Sequence, residues 1–396
     1  MKKVVGLLLT AVMTVSLLTG CGTTGGGSSD KTTNDQQNAV SSETDTDKTT
    51  EGGITIGVSI WGTNDPLGNQ VKKMLDAEAK ALGIKLVYSE HNLKSEEVVA
   101  SIENLCASGV DGIIVCNSAD AEMAKAIPVC QKNGVYLAQF FREITDADVK
   151  EMAMENSYYL GTTHEDEEAN GYELGRILIE EKNCRNIGIT SYRVGDATAS
   201  ARISGYKKAV EDWNTDHADD KVVLGDVVDD KYSAEEARQA VEGMIDANKD
   251  MDGLVVVGGG GQSLEGALGA ITAKGLTGKI SVASTDFTTN LADQLANGEM
   301  AAMSGGHYAD PFFSLMMVYN AVRGNYERPA DQYLEVIFPM MYVASAEDYA
   351  KYDKYFIQSL PYNDDEIKAI ADESFEKLQE TASKLSISEV AERHAQ

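Results

Sequence analysis

Apolar positions follow two different periods along this chain. Residues 54–60 form a β-rich run, and apolar residues then recur at helical spacing from Val71 to Leu82. The same order of strand and helix continues, with further strands predicted at 84–88, 112–116 and 135–139. Strands that alternate with amphipathic helices indicate βαβ units and a parallel sheet.

A second series of the same kind begins in the middle of the chain. Strands are predicted at 186–190, 222–228 and 253–257, with amphipathic helices between them. Residues 110–115 (VDGIIV) and 251–256 (MDGLVV) hold equivalent places in the two series. We therefore predict an α/β protein of two similar, doubly wound, Rossmann-like lobes with parallel sheets. Ligands of such sheets bind in loops beyond the carboxyl ends of the strands.

The amino terminus has the pattern of a secretory signal. Lys2 and Lys3 precede an uncharged, mainly apolar stretch over 4–19. This stretch is shorter than the roughly 20 apolar residues that a membrane-spanning helix needs. It ends in Leu-Thr-Gly-Cys21, which resembles the bacterial lipobox, where the cysteine receives a lipid before cleavage. We predict a signal peptide over 1–20 and lipidation of Cys21; the alternative is a plain signal with an incidental cysteine.

The residues that follow the signal are almost entirely polar. The stretch 21–53 is rich in Gly, Ser and Thr, and it cannot bury enough apolar surface to offset its ordering entropy. We therefore predict a disordered tether. The formal net charge of the chain is −29 at pH 7, which argues against nucleic acid and anionic lipid headgroups as partners. The lipid anchor is then the only membrane contact expected, and we expect a monomer.

Four further cysteines lie in the two series: Cys106, Cys116, Cys130 and Cys184. Four cysteines allow three pairings, and their spacing does not choose between these pairings. Most of them fall at apolar positions of predicted helices or strands, which favours buried free thiols over disulfides. Because no CxxC or HExxH motif occurs, no metal site and no cofactor is predicted.

A run of four glycines, 258–261, invites comparison with a phosphate-binding loop of an enzyme. No Gly-Lys-Ser/Thr follows the run, and it does not come after the first strand. The GxSxG motif of a nucleophilic serine is also absent from the sequence. The sequence therefore favours a binding protein over an enzyme.

The order of motifs resembles that of the type I periplasmic binding proteins of the ribose- and galactose-binding family. The similarity extends over about 54–343 and depends on six places in order rather than on any one of them. These places are Asn64-Asp65-Pro66, 111–117, Asp166 with Gly171 and Gly175, Ala201-Arg202 with Gly205-Tyr206, 253–271, and Ser284-Thr285-Asp286. The resemblance implies two lobes joined by a three-strand hinge, with a ligand cleft between them.

The resemblance also implies that each lobe is discontinuous, because the chain of such proteins crosses the hinge three times. Crossovers are expected near Thr163, Gly306 and Asp331. The implied lobes are 54–163 plus 307–332, and 164–306 plus 333–396. The segment after Val343 extends beyond the family's pattern, and we expect it to pack on the second lobe.

The function implied by the resemblance is capture of a small polar ligand, most often a sugar, outside the cytoplasm. The protein would then deliver this ligand to the permease of an ABC transporter. A second interpretation keeps the fold and changes the role, to a sensor that presents its ligand to a receptor kinase or a binder of an autoinducer-2-type signal. The residues do not separate these two roles.

A sugar presents faces of C–H groups and a rim of hydroxyls, so its site needs aromatic plates and charged groups. Phe141 stands where the family has an aspartate, and it leaves the adjacent arginine without that carboxylate. Trp61 could instead pack in the core, and Asn117 could cap the following helix. By match to the family's binding positions, the candidates of the first lobe are Trp61, Asp65, Asn117, Phe141 and Arg142.

The second lobe and the last crossover supply four more candidates: Arg202, Tyr232, Asp286 and His307. Asp286 follows a predicted strand, where a carboxylate would face the cleft. The alternatives are a solvated helix charge for Arg202, loop packing for Tyr232 and hinge packing for His307. The glycine run 258–261 replaces a polar pair of the family, which gains space and loses hydrogen bonds.

Overall fold

The computed structural model describes residues 53–192, 195–326, 328–329 and 332–395. The predicted signal peptide, the lipidation site Cys21 and the tether up to residue 52 lie outside the described residues. Asp331, near which the third crossover was expected, also lies outside them. No helix in the described part of the chain has the length and apolar character needed to cross a membrane.

Strands and helices alternate over residues 55–322, as the two periods predict. The strands are β1 Thr55–Ile60, β2 Lys85–Glu90, β3 Gly112–Val115, β4 Tyr136–Phe140, β5 Tyr159–Glu165, β6 Asn186–Ser191, β7 Val223–Asp229, β8 Gly253–Val256, β9 Ser281–Thr285, β10 Ala302–Gly305, β11 Glu335–Phe338 and β12 Met341–Val343. The helices are α1 Pro66–Leu82, α2 Ser95–Ala107, α3 Asp120–Asn133, α4 Ala147–Glu155, α5 Glu167–Arg176, α6 Ala197–Asp216, α7 Ala234–Ala247, α8 Gln262–Ala273, α9 Leu291–Asn297, α10 Asp310–Val322, α11 Ala346–Tyr352, α12 Asp364–Ile370, α13 Phe375–Lys384 and α14 Ile387–His394.

The described strands form two sheets of closely similar design. The first has the order β11-β5-β4-β3-β1-β2, and the second has the order β12-β10-β9-β8-β6-β7. All pairs are parallel except β10 with β12, which is antiparallel. The predicted fold class, two doubly wound α/β lobes, is confirmed. The carboxyl ends of the central strands in each sheet carry the loops that hold the candidate site residues.

The first βα unit shows how the sequence fixes these loops. Five consecutive residues of β1, Ile56–Ile60, are buried, as expected for a central parallel strand covered on both faces. Helix α1 begins at Pro66, where the fixed φ of proline suits the first turn, and the Asp65 side chain accepts a hydrogen bond from the Gly68 N–H. The five residues between strand and helix are therefore held at both ends.

The third crossing of the chain lies later than expected. The resemblance implies that 333–396 belongs to the second lobe, but β11 pairs in parallel with β5, with Glu335 opposite Thr162 and Phe338 opposite Glu165. The chain then passes to the second sheet, where Met341 of β12 lies opposite Gly305 of β10. The physical reason is that β11 supplies main-chain partners to the open edge of β5.

The carboxyl-terminal segment also departs from its predicted place on the second lobe alone. Helix α11 packs on α9 of the second lobe, whereas α12 packs on α1 and α13 packs on β11 and α10 of the first lobe. The apolar faces of α12 and α13 are buried there, through Ile367, Ile370, Leu378 and Ala382. The segment therefore contacts both lobes, and the predicted assignment of all of 333–396 to the second lobe is wrong.

The four cysteines of the described chain are free and buried, as predicted. Cys106 and Cys130 come nearest to each other, with their sulfur atoms 3.9 Å apart. That separation is well beyond a disulfide bond of about 2.05 Å. The thiols act as small apolar side chains in the core.

Candidate ligand-binding site

A row of aromatic rings lies where the loops of the first sheet meet the second crossover. The Phe141 ring centroid is 5.8 Å from that of Trp61 and 5.2 Å from that of His307. The Trp61 indole N–H donates to the Asp65 carboxylate at 2.7 Å. Trp61, Phe141 and the His307 imidazole thus form one row of rings, with the Asp65 carboxylate at its Trp61 end. This arrangement can cover the C–H face of a small polar ligand.

The position of Phe141 depends on an uncommon backbone conformation. Its φ is +60°, a left-handed value that a bulky residue adopts only when its surroundings impose it. Its N–H donates to the Thr163 carbonyl at 2.8 Å and lies 3.3 Å from a carboxylate oxygen of Asp310. The end of β5 and the start of α10 therefore hold the ring in place, and both are hinge elements.

Asp286 and His307 form an ion pair at the end of β9. The His307 Nε2 lies 3.2 Å from an Asp286 carboxylate oxygen. Burial opposes the charge on both groups, but their mutual attraction raises the pKa of His307 and lowers the pKa of Asp286. Arg202 and Arg142 also lower the pKa of Asp286. A carboxylate surrounded in this way stays ionised and can accept hydrogen bonds from hydroxyl groups.

The glycine run 258–261 is shaped around Asp286. A Cβ atom at Gly259, whose φ is +76°, would lie 2.2 Å from the Asp286 carboxylate, and a Cβ atom at Gly260 would lie 2.2 Å from the Asp286 carbonyl oxygen. A Cβ atom at Gly261 would lie 2.3 Å from the Tyr232 hydroxyl. The glycines thus let the backbone approach two candidate ligand groups closely.

Arg142 reaches from the first lobe toward the second. Its guanidinium donates to the Phe141 carbonyl at 2.6 Å. Burial disfavours its charged form, but Cys116, Tyr192 and Asp196 outweigh burial and raise the pKa of the guanidinium. Tyr192 and Asp196 follow β6, so this arginine faces groups of the opposite lobe.

Arg202 is buried, with 6% of its surface exposed, and its nitrogens already have partners inside the second lobe. It donates to both carboxylate oxygens of Glu167, at 2.7 and 2.6 Å, and to the Val257 carbonyl at 3.2 Å. Burial opposes ionisation, but the pair raises the pKa of Arg202 and lowers that of Glu167. The solvated-charge alternative for Arg202 is therefore wrong. Its direct contact with a ligand stays a prediction.

Asn117 belongs to an internal hydrogen-bond chain. Its amide donates to the Ala119 carbonyl at 3.2 Å and its oxygen accepts from Gln139 at 2.7 Å, while Tyr159 donates to Gln139 at 2.6 Å. The N-cap residue of α3 is Ala119, so the capping alternative for Asn117 is wrong. The network fixes the carboxyl ends of β3 and β4, from which the cleft loops start.

Tyr232 and Asp65 lie at the rim of the site. Tyr232 is 49% exposed, has a φ of +54°, and its ring meets that of Tyr192 edge-on at 6.2 Å. Burial raises the pKa of the Tyr232 hydroxyl, and the charges of Asp286 and then of the exposed Asp65, which belongs to the opposite lobe, add to the effect.

Comparison with known proteins identifies the family. Residues 56–325, more than half of the chain, match the family model described as periplasmic binding protein domain. The chain belongs to this family of periplasmic binding proteins. The type I resemblance that the sequence motifs carry is thereby confirmed.

Curated relatives of this periplasmic binding protein include the D-xylose-binding periplasmic proteins of two bacteria. The Haemophilus influenzae protein is 23% identical over 246 residues, which cover 62% of this chain and 70% of the relative. The Escherichia coli protein is 24% identical over 233 residues, which cover 59% of this chain and 67% of the relative.

Solved structures show the same fold as this periplasmic binding protein. A solute-binding protein of an ABC transporter from Actinobacillus succinogenes, with bound D-allose, has a TM-score of 0.64, 19% identity and coverage of 76% of this chain and 100% of its own. The arabinose-binding component from Shewanella, bound to L-arabinofuranose, has a TM-score of 0.63, 19% identity and coverage of 77% and 96%. At this level of identity the similarity concerns the fold.

Two residues of this periplasmic binding protein that contact the candidate site region, Tyr192 and Glu167, are not among those the sequence predicts. Tyr192 donates to Asp196 at 2.7 Å directly after β6, and Glu167 lies in the first turn of α5. A polar or aromatic residue just after a buried strand was an available signal for Tyr192. Glu167 had no such signal, because its role depends on its pairing with Arg202, 35 residues away.

Two buried acids occupy the hinge of this periplasmic binding protein. Glu165 ends β5 at the first crossover, and Asp310 begins α10 after the second. Burial raises the pKa of both carboxyls, to about 7 for Asp310, and the Asp310 charge adds to the effect on Glu165. Asp310 links the second crossover to the first sheet, since its carboxylate accepts from the Phe141 backbone N–H and its carbonyl accepts from Thr163.

Proposed function

We propose that this chain is the extracytoplasmic solute-binding protein of an ABC importer and that its ligand is a monosaccharide. The observation that carries the proposal is the grouping of aromatic and charged side chains at the carboxyl ends of the two sheets. Aromatic rings from one lobe and the Asp286–His307 pair stand together between two sheets of similar design. Stacking surfaces beside ionised hydrogen-bond partners are what a ring of C–H groups and hydroxyls requires.

The division of the site between the lobes supports a closing mechanism. Trp61, Phe141 and Arg142 follow strands of the first sheet, whereas Tyr232 and Asp286 follow strands of the second. A ligand favours a closed form only if it binds that form better than the open one. A ligand that contacts the residues of both lobes at once binds the closed form more tightly than the open form. The hinge residues allow the lobes to rotate into that form.

The names of the relatives support a monosaccharide rather than a larger ligand. The two curated relatives are named for D-xylose, and the structural neighbours contain D-allose or L-arabinofuranose. In this chain Phe141 replaces the acidic residue that the family places beside Arg142, and glycines replace a polar pair. We therefore expect a ligand with at least one apolar face near Phe141 and its hydroxyls toward Asp286.

We further propose that Cys21 anchors the protein to the outer face of the cell membrane by a lipid. The proposal is supported by the Leu-Thr-Gly-Cys21 sequence at the end of the secretory signal. Two buried acyl chains hold a protein stably at a membrane, whereas one chain binds marginally. With Cys21→Ser the protein should move to the soluble fraction, and continued retention in the membrane would contradict the anchor.

The test of ligand class is a thermal-shift and calorimetric screen of the protein against D-xylose, L-arabinose, D-allose, D-galactose and D-ribose. A ligand at 100 times its dissociation constant stabilises the native state by about 2.7 kcal/mol. We expect at least one monosaccharide to raise the melting temperature and to give a 1:1 isotherm. Absence of a saturable isotherm for every sugar, with amino acids or peptides binding instead, would overturn the proposal.

A further inference from the structure

Three side chains capable of binding metal meet on the first sheet, beside the hinge. They are Glu143, three residues after β4, His164 near the end of β5, and Glu335 at the start of β11. One ligand atom from each lies within 4.8 Å of the other two. We propose that Glu143, His164 and Glu335 form a binding site for one divalent transition-metal ion. This inference does not depend on which solute the cleft binds.

His164 is oriented as a metal ligand. Its Nδ1 lies 3.1 Å from the Glu165 carbonyl oxygen, so in the neutral ring Nδ1 carries the hydrogen and Nε2 presents its lone pair. The residue is 9% exposed, and its Nε2 is buried with no hydrogen-bond partner among the described residues. That nitrogen lies 3.9 Å from a Glu335 carboxylate oxygen. A buried acceptor of this kind usually has a partner, and a metal ion would supply one.

The sheet register fixes the first two ligands relative to each other. In the parallel pair of β5 and β11, Glu335 lies opposite Thr162 and Ile337 lies opposite His164. Because side chains two residues apart on a strand share a face, Glu335 and His164 project from the same face of neighbouring strands. Glu143 comes from the loop after β4, the next strand of the sheet, and its exposed side chain is free to adjust.

The ligand set selects the kind of ion. Zinc binds imidazole nitrogen and carboxylate oxygen at about 2.0–2.2 Å, which places neighbouring ligand atoms roughly 3–3.5 Å apart. The three ligand atoms now lie within 4.8 Å of one another, so metal binding requires the two glutamate carboxylates to approach the imidazole by about 1–2 Å. Calcium prefers six to eight oxygen ligands, and an imidazole nitrogen is a poor ligand for it. Two carboxylates and one imidazole therefore favour a first-row transition ion such as Zn²⁺.

A lysine stands beside the site and balances its charge when no metal is bound. The Lys150 ammonium lies 3.5 Å from the same Glu335 carboxylate and 4.1 Å from the Tyr333 ring centroid. Its side chain is about one-third exposed, so it can move into solvent when a cation occupies the carboxylates. The ion would then link β5, the strand that precedes the first crossing, to β11, the strand that precedes the third.

The experiment is calorimetric titration of Zn²⁺ into the full-length chain after treatment with a chelator and its removal. We expect one saturable site per chain and a rise in melting temperature with added Zn²⁺. Glu143→Gln, Glu335→Gln and His164→Gln should each weaken binding at least tenfold. Glu143 is exposed, so its variant tests the site without disturbing the core. The matched control is His217→Gln, because His217 is exposed. This variant should bind Zn²⁺ with the affinity of the wild type.

Three results would overturn the site. They are the absence of saturable Zn²⁺ binding, unchanged affinity in Glu143→Gln and Glu335→Gln, and a loss of affinity in His217→Gln equal to that in His164→Gln. Tighter binding of Ca²⁺ than of Zn²⁺ would contradict the predicted class of ion. Circular dichroism of each variant at 25 °C establishes that the fold is retained before its titration is compared.

Discussion

At the residue scale, Gly259 leaves no room for a side chain beside Asp286. Gly259→Ala would place a methyl group 2.2 Å from the Asp286 carboxylate, at a φ of +76° that alanine tolerates poorly. The carboxylate must then change its position. We predict that Gly259→Ala weakens sugar binding at least tenfold, about 1.4 kcal/mol, as measured by calorimetry.

Gly269→Ala is the matched control for this prediction. Gly269 lies on α8 with no atom within 4 Å of an added Cβ, so alanine there should leave the binding constant unchanged. Gly269→Ala should also stabilise helix α8 by roughly 0.5–1 kcal/mol. Equal affinity in Gly259→Ala and Gly269→Ala would show that the glycine run does not shape the site.

Asp310 gives the pH dependence of stability. Its carboxyl has a pKa of about 7 in the folded protein, raised by burial, so between its unfolded value and pH 7 the folded state holds a proton that the unfolded state has lost. Stability therefore falls as pH rises through this window. We predict that Asp310→Asn is more stable than the wild type at pH 8 by at least about 1.4 kcal/mol, the equivalent of one pKa unit.

The advantage of Asp310→Asn should shrink as the pH falls toward 4, because the wild-type carboxyl is then protonated. Burial and then the Asp310 charge raise the pKa of Glu165, so Glu165 contributes in the same direction. Urea denaturation at pH 5 and pH 8 measures the difference, with the exposed Asp372→Asn as the control. A stability difference between Asp310→Asn and wild type that is the same at both pH values would contradict a raised pKa.

Sequence reasoning was most successful for residues whose role follows from local position. Asp286 and Trp61 come directly after a strand, and parallel strands place such residues at one edge of a sheet. Arg202 was also singled out, but its buried pairing with Glu167 depends on the packing of α5 against α6. Such tertiary partners have no fixed spacing in the chain, so the pattern could not supply Glu167.

At the element scale, hydrophobic periodicity predicted the central strands and the helices between them. The fully buried runs of β3 and β8, and the five buried residues of β1, have few alternatives to a central parallel strand. Strand β11 has mixed burial over four residues, and β12 has only three residues. Such short strands with mixed burial give little periodic signal, so the sequence predicts the third crossing too early.

The carboxyl-terminal helices give a testable consequence at this scale. Leu378 of α13 is 4% exposed, in a helix that packs on β11 and α10. We predict that Leu378→Ala lowers the free energy of unfolding by about 2–5 kcal/mol, through lost burial and the cavity left behind. Urea denaturation of this variant tests the prediction.

Glu376→Ala is the control, because Glu376 is exposed on the same helix and its removal should change stability by no more than roughly 0.5 kcal/mol. Similar effects of Leu378→Ala and Glu376→Ala would mean that α13 does not stabilise the first lobe. This pair of variants therefore tests the corrected place of the carboxyl-terminal segment.

At the scale of the whole molecule, the candidate site residues come from two lobes that the hinge groups connect. The first crossover carries Thr163 and Glu165, the second carries His307 and Asp310, and Thr163 donates to the Asp310 carbonyl at 3.2 Å. Cleft residues and hinge residues are thus in direct contact, because Phe141 touches both His307 and Asp310. A ligand that contacts Phe141 and Asp286 at the same time would therefore also change the packing at the crossovers.

The central claim is that a monosaccharide closes the two lobes on itself, and small-angle X-ray scattering tests it most directly. The radius of gyration is measured without sugar and at saturation with the panel sugar that gives the largest thermal shift. We predict a smaller radius of gyration at saturation for the wild type. An unchanged radius of gyration, at a sugar concentration that calorimetry shows to be saturating, would contradict capture by closure.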